Sequence, residues 1–155
     1  VFFPETFEAL SALQKRFRLF IVTNQSGVAE GRITMDAVNR VNQHVTAVLR
    51  EKGIEITETY VCPHSGDDKC RCRKPGSFFL EQAAADHGIN LQRSFSVGDH
   101  PCDVQLAARA GGEGIYLLTG HGRKHRRELS DSVTVLPNIR SAAPRYRGPK
   151  SGRNR

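Results

Sequence analysis

The chain has 155 residues, 38% of them hydrophobic and 25% charged, which fits one soluble domain around one core and excludes a fibrous or wholly disordered chain. No stretch approaches the ~20 apolar residues of a spanning helix, so no membrane partner is expected. The net charge is +7, but residues 140–155 (RSAAPRYRGPKSGRNR) hold six basic residues and no acidic one. The excess is therefore mostly that of a Pro-, Gly- and Arg-rich tail expected to be disordered, and residues 1–139 are the expected folded domain.

Phe7, Leu10, Leu13 and Phe17 recur at helical spacing, which predicts a helix over residues 4–17. Residues 19–22 (LFIV) are a continuous apolar run, as in a strand buried on both faces. A polar loop, TNQSGVAEG, follows. Thr34 is placed to cap a helix running to about Lys52, with Val38, Val41, Val45, Val48 and Leu49 as its core face and Gly53 as its stop. Residues 54–61 predict a strand. A Cys/His loop comes next, then a helix over 77–87 that Gly88 ends. Short strands are expected at 94–97, 114–118 and 133–136, with helices at 101–110 and around 124–129. Alternating strands and helices argue an α/β fold, a Rossmann-like three-layer sandwich around a mainly parallel sheet. Ligands in such folds bind at the carboxyl ends of the strands.

Cys62-Pro63-His64 and Cys70-Arg71-Cys72 are separated by five residues. Three thiolates and one imidazole close a tetrahedral zinc shell. All four groups are expected to come from one small loop, and a full shell leaves no place for water, so the Zn²⁺ is expected to be structural and to order that loop. The clustering argues against a disulfide framework and for a reducing, cytoplasmic setting. Cys102 lies apart and reads as a small buried hydrophobe.

Three polar motifs follow predicted strands or the zinc loop. Thr23-Asn24-Gln25-Ser26-Gly27 offers a hydroxyl and successive N–H groups, which can cradle a phosphate. Arg73-Lys74-Pro75 puts two cations straight after the last zinc ligand. Gly98-Asp99 puts a carboxylate at a strand end, suited to Mg²⁺. Asp103, four residues on, either supports that site from behind or caps a helix.

Together, TNQSG, CPH…CRCRKP and SVGD resemble the haloacid-dehalogenase superfamily of phosphohydrolases over about residues 1–136. More narrowly they resemble its zinc-loop branch, the D-glycero-D-manno-heptose 1,7-bisphosphate 7-phosphatases and histidinol-phosphate phosphatases. The resemblance implies Mg²⁺-dependent hydrolysis of a small phosphate ester through an aspartyl-phosphate. It implies that Thr23, with Asn24, Gln25 and Ser26, holds phosphoryl oxygens and that Lys74 neutralises developing charge. It assigns Arg73 to substrate recognition, Asp99 to Mg²⁺, and His100 to the neighbourhood of the phosphate. A monomer is expected.

The DxDG motif that supplies the nucleophile in this superfamily is missing, since no Asp occurs before Asp36. An N-terminally truncated chain is the expected reason, with a pseudoenzyme as the other. Such a chain should be inactive alone and leave an unfilled place in its sheet. The heptose bisphosphate is the expected substrate, with histidinol phosphate as the alternative. A zinc-containing nucleic-acid-binding module is the alternative of another class. It is disfavoured because the charge sits in the tail and the cysteine spacing fits no helix-presenting finger.

Overall fold

The computed structural model describes residues 2–145. Its five strands pair in parallel and alternate with helices, as the sequence pattern predicts. Strand β1 (Leu19–Asn24) pairs with β2 (Ile56–Cys62), with Thr23 opposite Val61 and Asn24 opposite Cys62. Strand β3 (Phe95–Gly98) pairs with β4 (Glu113–Leu117), and β4 with β5 (Thr134–Leu136). Among the described residues no ladder joins β1 to β3, so the sheet stands in two pieces, of two and three strands. Side chains link the pieces. At the amino ends Phe17 meets Phe95 edge to face, with ring centroids 5.5 Å apart.

Helix α1 (Thr6–Leu13) is shorter than its apolar spacing suggests, because turns replace helix on both sides. Helix α2 (Met35–Glu51) starts where expected, with the Ala37 N–H donating to the Thr34 hydroxyl at 3.2 Å. Its core face differs from the prediction. Val38 and Leu49 are buried, but Val41 is 62% exposed. At 100° per residue, positions 38, 42, 45 and 49 fall within one narrow stripe and position 41 lies at its border. Asn42 takes the inner place, and its buried Nδ2 has no hydrogen-bond partner among the described residues.

Helices α3 (Phe78–His87), α4 (Pro101–Arg109) and α5 (Gly122–His125) follow their strands or loops. The helix expected around 124–129 is this short α5 plus a single 3₁₀ turn. Residues 140–145, placed in the expected tail, are folded. Helix α6 (Ala142–Arg145) follows a 3₁₀ turn, Ala142 is 1% exposed, and Arg140 pairs with Glu8 of α1 at 2.8 Å. The rest of the expected tail, residues 146–155, lies outside the described residues. No helix among the described residues is long and apolar enough to cross a membrane.

Candidate active site and metal centre

Two features meet beyond the carboxyl ends of the strands, a cysteine cluster and a polar crevice. Cys62 is the last residue of β2 and is wholly buried, while His64, Cys70 and Cys72 come from the loop that follows. The expectation that one loop supplies all four groups is thus corrected, since the cluster is rooted in the sheet. The Cys62 Sγ lies 3.3 Å from the Cys72 Sγ and 3.6 Å from the Cys70 Sγ. The His64 Nδ1 lies 3.2 Å from the Cys72 Sγ and 3.6 Å from the Cys62 Sγ. A tetrahedral zinc with bonds of about 2.3 Å sets its sulfurs about 3.8 Å apart, so these four atoms stand at the corners such an ion needs. Burial, with the neighbouring thiols Cys62 and Cys70, pushes the Cys72 thiol up to about 12, and burial raises Cys62 as well. Burial also acts on Cys70, but hydrogen bonds from the Arg73 and Cys72 backbones and from the neighbouring thiols outweigh it and lower that thiol, so the three thiols are not alike before a metal binds. At the loop tip the backbone N–H and hydroxyl of Ser65 donate to the Asp68 carboxylate at 2.6 and 2.9 Å.

The crevice is organised by Lys74. Its ammonium donates to the Val22 carbonyl of β1 at 2.8 Å and to the Asp103 carboxylate of α4 at 2.7 Å. One side chain therefore spans the two pieces of the sheet. The Asn24 side chain grips the Lys74 backbone from both sides, accepting its N–H at 3.0 Å and donating to its carbonyl at 3.2 Å. Asp103 also accepts the His100 N–H at 3.0 Å, which fixes the start of α4. Gly98 lies so close to the Asp103 carboxylate that a Cβ there would collide with it. Asp99 follows Gly98 at the end of β3. Its Oδ2 accepts the His121 N–H at 2.7 Å. Gly120, at φ +57°, leaves room for that carboxylate where any side chain would strike it.

Each site residue named from the sequence has a definite place. The Thr23 hydroxyl accepts from the Gln25 side chain at 2.9 Å, which leaves its own proton to donate outward. Asn24 and Gln25 thus brace the site through their amides. Ser26 closes the loop, its carbonyl accepting the Glu30 N–H at 3.1 Å. Arg73 donates to the His64 carbonyl at 3.2 Å and ties the crevice to the cysteine cluster. His100 is exposed, with its ring 4.6 Å from that of His125. Asp103 does cap a helix, and its second partner is the Lys74 ammonium. Cys102 is only partly buried, and burial raises its thiol. The sequence reading missed His121 and His125. Both lie in the Gly-His-Gly turn and short α5 after β4, where no periodicity marks a site.

A family model described as HAD-hydrolase-like matches residues 71–142. A D-glycero-β-D-manno-heptose-1,7-bisphosphate 7-phosphatase of Pseudomonas putida is 30% identical over 134 residues, which are 86% of this chain and 77% of that one. The chain belongs to that family of HAD-like phosphatases. A probable family member from Thermoplasma acidophilum is 39% identical over 98 residues, and this chain spans 61% of its length. The crystal structure of the D,D-heptose 1,7-bisphosphate phosphatase of B. bronchiseptica, complexed with magnesium and phosphate, superposes with a TM-score of 0.85 at 28% identity, covering 94% of this chain and 83% of that one. The α/β fold with parallel strands is that of the family. A carboxylate oxygen at a strand end is the hard ligand that Mg²⁺ takes alongside water and phosphate, so Asp99 fits such an ion.

Proposed function

We propose that these residues form the phosphate-holding and metal-holding part of an enzyme that removes the 7-phosphate from D-glycero-D-manno-heptose 1,7-bisphosphate. The observation that carries the reading is the Lys74 bridge. It holds an ammonium between the carbonyl of Val22, the residue before Thr23, and the carboxylate of Asp103, which packs against Gly98, the residue before Asp99. Thr23 donates its hydroxyl proton to a phosphoryl oxygen, with backbone N–H groups of the following loop beside it. The Lys74 ammonium offsets negative charge that builds on the phosphoryl oxygens, in a site partly shielded from water. Asp99 holds Mg²⁺, which when bound supplies further charge neutralisation and orients the phosphate. Arg73 reaches the substrate from the rim of the cysteine cluster. The zinc keeps that rim rigid and takes no part in the chemistry.

The 155-residue chain by itself binds phosphate without cleaving it. Asp103 is occupied by Lys74 and the His100 N–H, Asp99 serves the metal, and no other aspartate belongs to the three polar motifs. A longer clone that includes an upstream Asp-x-Asp segment should release phosphate in the presence of Mg²⁺. The four cysteines form no disulfide, which supports a reducing, cytoplasmic location, and we take the active species as a monomer.

The test is steady-state phosphate release on a panel holding the heptose bisphosphate, histidinol phosphate and simple sugar monophosphates. The long clone should prefer the heptose bisphosphate and lose activity on Asp99→Asn. Turnover by the 155-residue chain alone, abolished by Asp99→Asn, would show that another group is the nucleophile. Preference for histidinol phosphate would overturn the substrate.

A further inference from the structure

One cavity, of about 480 Å³, opens on the flank of the zinc loop between the start of α3 and the end of α4. Arg73 and Lys74 line its inner wall and belong to the crevice already described. Its remaining charged lining does not. Lys69, Arg71 and Arg109 come from the loop tip, the space between two zinc ligands and the last turn of α4. None of these three cations has a carboxylate partner among the described residues, and all three are exposed. The one acidic residue of the lining, Glu81, accepts the Ser77 hydroxyl at 2.5 Å. Arg71 lies over the Phe78 ring, 5.6 Å from its centroid, so its guanidinium is held in place before any ligand arrives.

Three cations without a carboxylate partner line one concavity and give it a positive field. A single carboxylate offsets one of them, whereas a phosphate carries close to two charges and several acceptor oxygens. Guanidinium groups match those oxygens in paired hydrogen bonds. The volume exceeds that of a bare phosphate and suits a phosphate ester with its carbon skeleton. We infer that Lys69, Arg71 and Arg109 form a second phosphate-binding site, separate from the Thr23–Lys74 crevice and opening beside it. The zinc loop presents Lys69 and Arg71, so metal loading sets the geometry of this site. Binding there needs no turnover and does not depend on the proposed activity.

The experiment is NMR titration of the full zinc-loaded chain, following the Nε–H signals of Arg71 and Arg109, the backbone N–H signals of positions 69, 71 and 109, which the variant below keeps, and the backbone N–H of Gln25. Inorganic phosphate, a hexose monophosphate and a hexose bisphosphate are titrated separately, at constant ionic strength against chloride. Phosphate should shift the Arg71 and Arg109 signals saturably. In Arg71→Gln/Arg109→Gln, affinity at the second site should fall about tenfold or more while the Gln25 shift is kept. These positions are exposed, so the variant folds, and the unchanged Gln25 response confirms it. A bisphosphate that binds at least tenfold tighter than the monophosphate, and loses that advantage in the variant, identifies the ligand as a substrate's unreacted phosphate. Equal affinities identify free phosphate or a simple ester. No saturable shift at either arginine, or the same shift with chloride, overturns the site. If the arginines respond and Gln25 does not, the crevice reading fails and this one stands.

Discussion

The two halves of the sheet are held by different physics. In the three-stranded half, burial centres on β4 and α4. Ile115, Tyr116 and Leu117 of β4 are buried, as are Val104, Leu106 and Ala107 of α4. Tyr116 even buries its hydroxyl, donating to the Gly122 carbonyl at 2.9 Å. In the two-stranded half burial falls on β2 and its neighbours, with Leu49, Ile54, Tyr60 and Cys62 buried, but not on β1. All six residues of β1 remain partly exposed. That half relies on polar clamps: the cysteine cluster at the end of β2, the Asn24–Lys74 grip, and the Arg18–His87–Glu58 chain at the other end. The lesson is that β4 is closed by apolar packing, whereas β1, part-exposed along its whole length, is backed by charges and a metal-binding cluster. The groups proposed to hold phosphate, among them Lys74, sit where the two meet.

Removing the metal should separate the halves most sharply. Structural zinc supplies on the order of 10 kcal/mol to small metal-folded units. Freshly purified protein should carry about one zinc per chain. Chelation, or Cys72→Ser, should abolish amide-exchange protection from Cys62 through the loop to Ser77. Protection of β4 should persist. Equal loss in both halves would show that the cluster supports the whole core. No bound metal, with four freely reactive thiols, would remove the clamp from the account.

Next in size is the bridge between the halves. Lys74 and Asp103 are paired with side chains only 14% and 11% exposed. Lys74→Met leaves Asp103 buried without its cation and should cost about 3–5 kcal/mol. Adding Asp103→Asn should recover much of this, because the amide oxygen still accepts the His100 N–H. Denaturant midpoints of the two single variants and the double variant measure the coupling. Strict additivity would show that the pair is not a bridge.

How much of this was legible in the sequence follows the same division. The cysteine cluster was legible because C-x-H and C-x-C spacings are local. Strand and helix types were legible because short apolar runs and capped helices carry their own signals, as at Thr34 and Gly88. The Lys74–Asp103 pair was not, since it joins residues 29 positions apart through tertiary packing. The assignment of Val41 to the core failed because valine at the edge of a stripe reads like valine within it. Asn42 was invisible as an inward residue because its type argues for the surface. Asp99 was legible as a strand-end carboxylate, but its partner His121 lies in a turn with no period to betray it.

A matched substitution tests the difference in burial. Ile115 in β4 is 1% exposed, whereas Ile21 in β1 is partly exposed. Ile115→Ala should cost about 2–5 kcal/mol, the usual range for a buried aliphatic side chain. Ile21→Ala should cost clearly less, because part of its surface already meets water. Urea midpoints on the zinc-loaded chain make the comparison. Equal costs would mean that β1 is as well packed as β4 and that the contrast between the halves is wrong.

The smallest effect lies in the polar clamp of the two-stranded half. The Glu58 carboxylate faces the His87 Nε2 at 2.7 Å and accepts the Tyr60 hydroxyl at 2.9 Å. Arg18 donates to the His87 carbonyl at 2.8 Å and lies 3.2 Å from its Nδ1. Arginine can only donate, so the Nδ1 accepts and the Nε2–H donates to Glu58. The His87 hydrogen bond, then that of Tyr60, holds Glu58 below its ordinary 4.5. Because the folded value is the lower one, the clamp's contribution is fully present above pH 4.5 and is lost as pH falls through the folded value. The group is exposed, so the effect is modest and salt weakens it. Glu58→Gln should lower the urea midpoint slightly at pH 7, and the gap to the parent chain should close as the pH drops below 4.5. Comparing parent and variant at each pH cancels acid effects common to both, such as metal loss and protonation of Asp68. A gap that stays constant down to pH 3 would show that the carboxylate's charge contributes nothing here and that the half is held at this end by the stacking of Phe20 on Tyr60 and Tyr60 on Phe79.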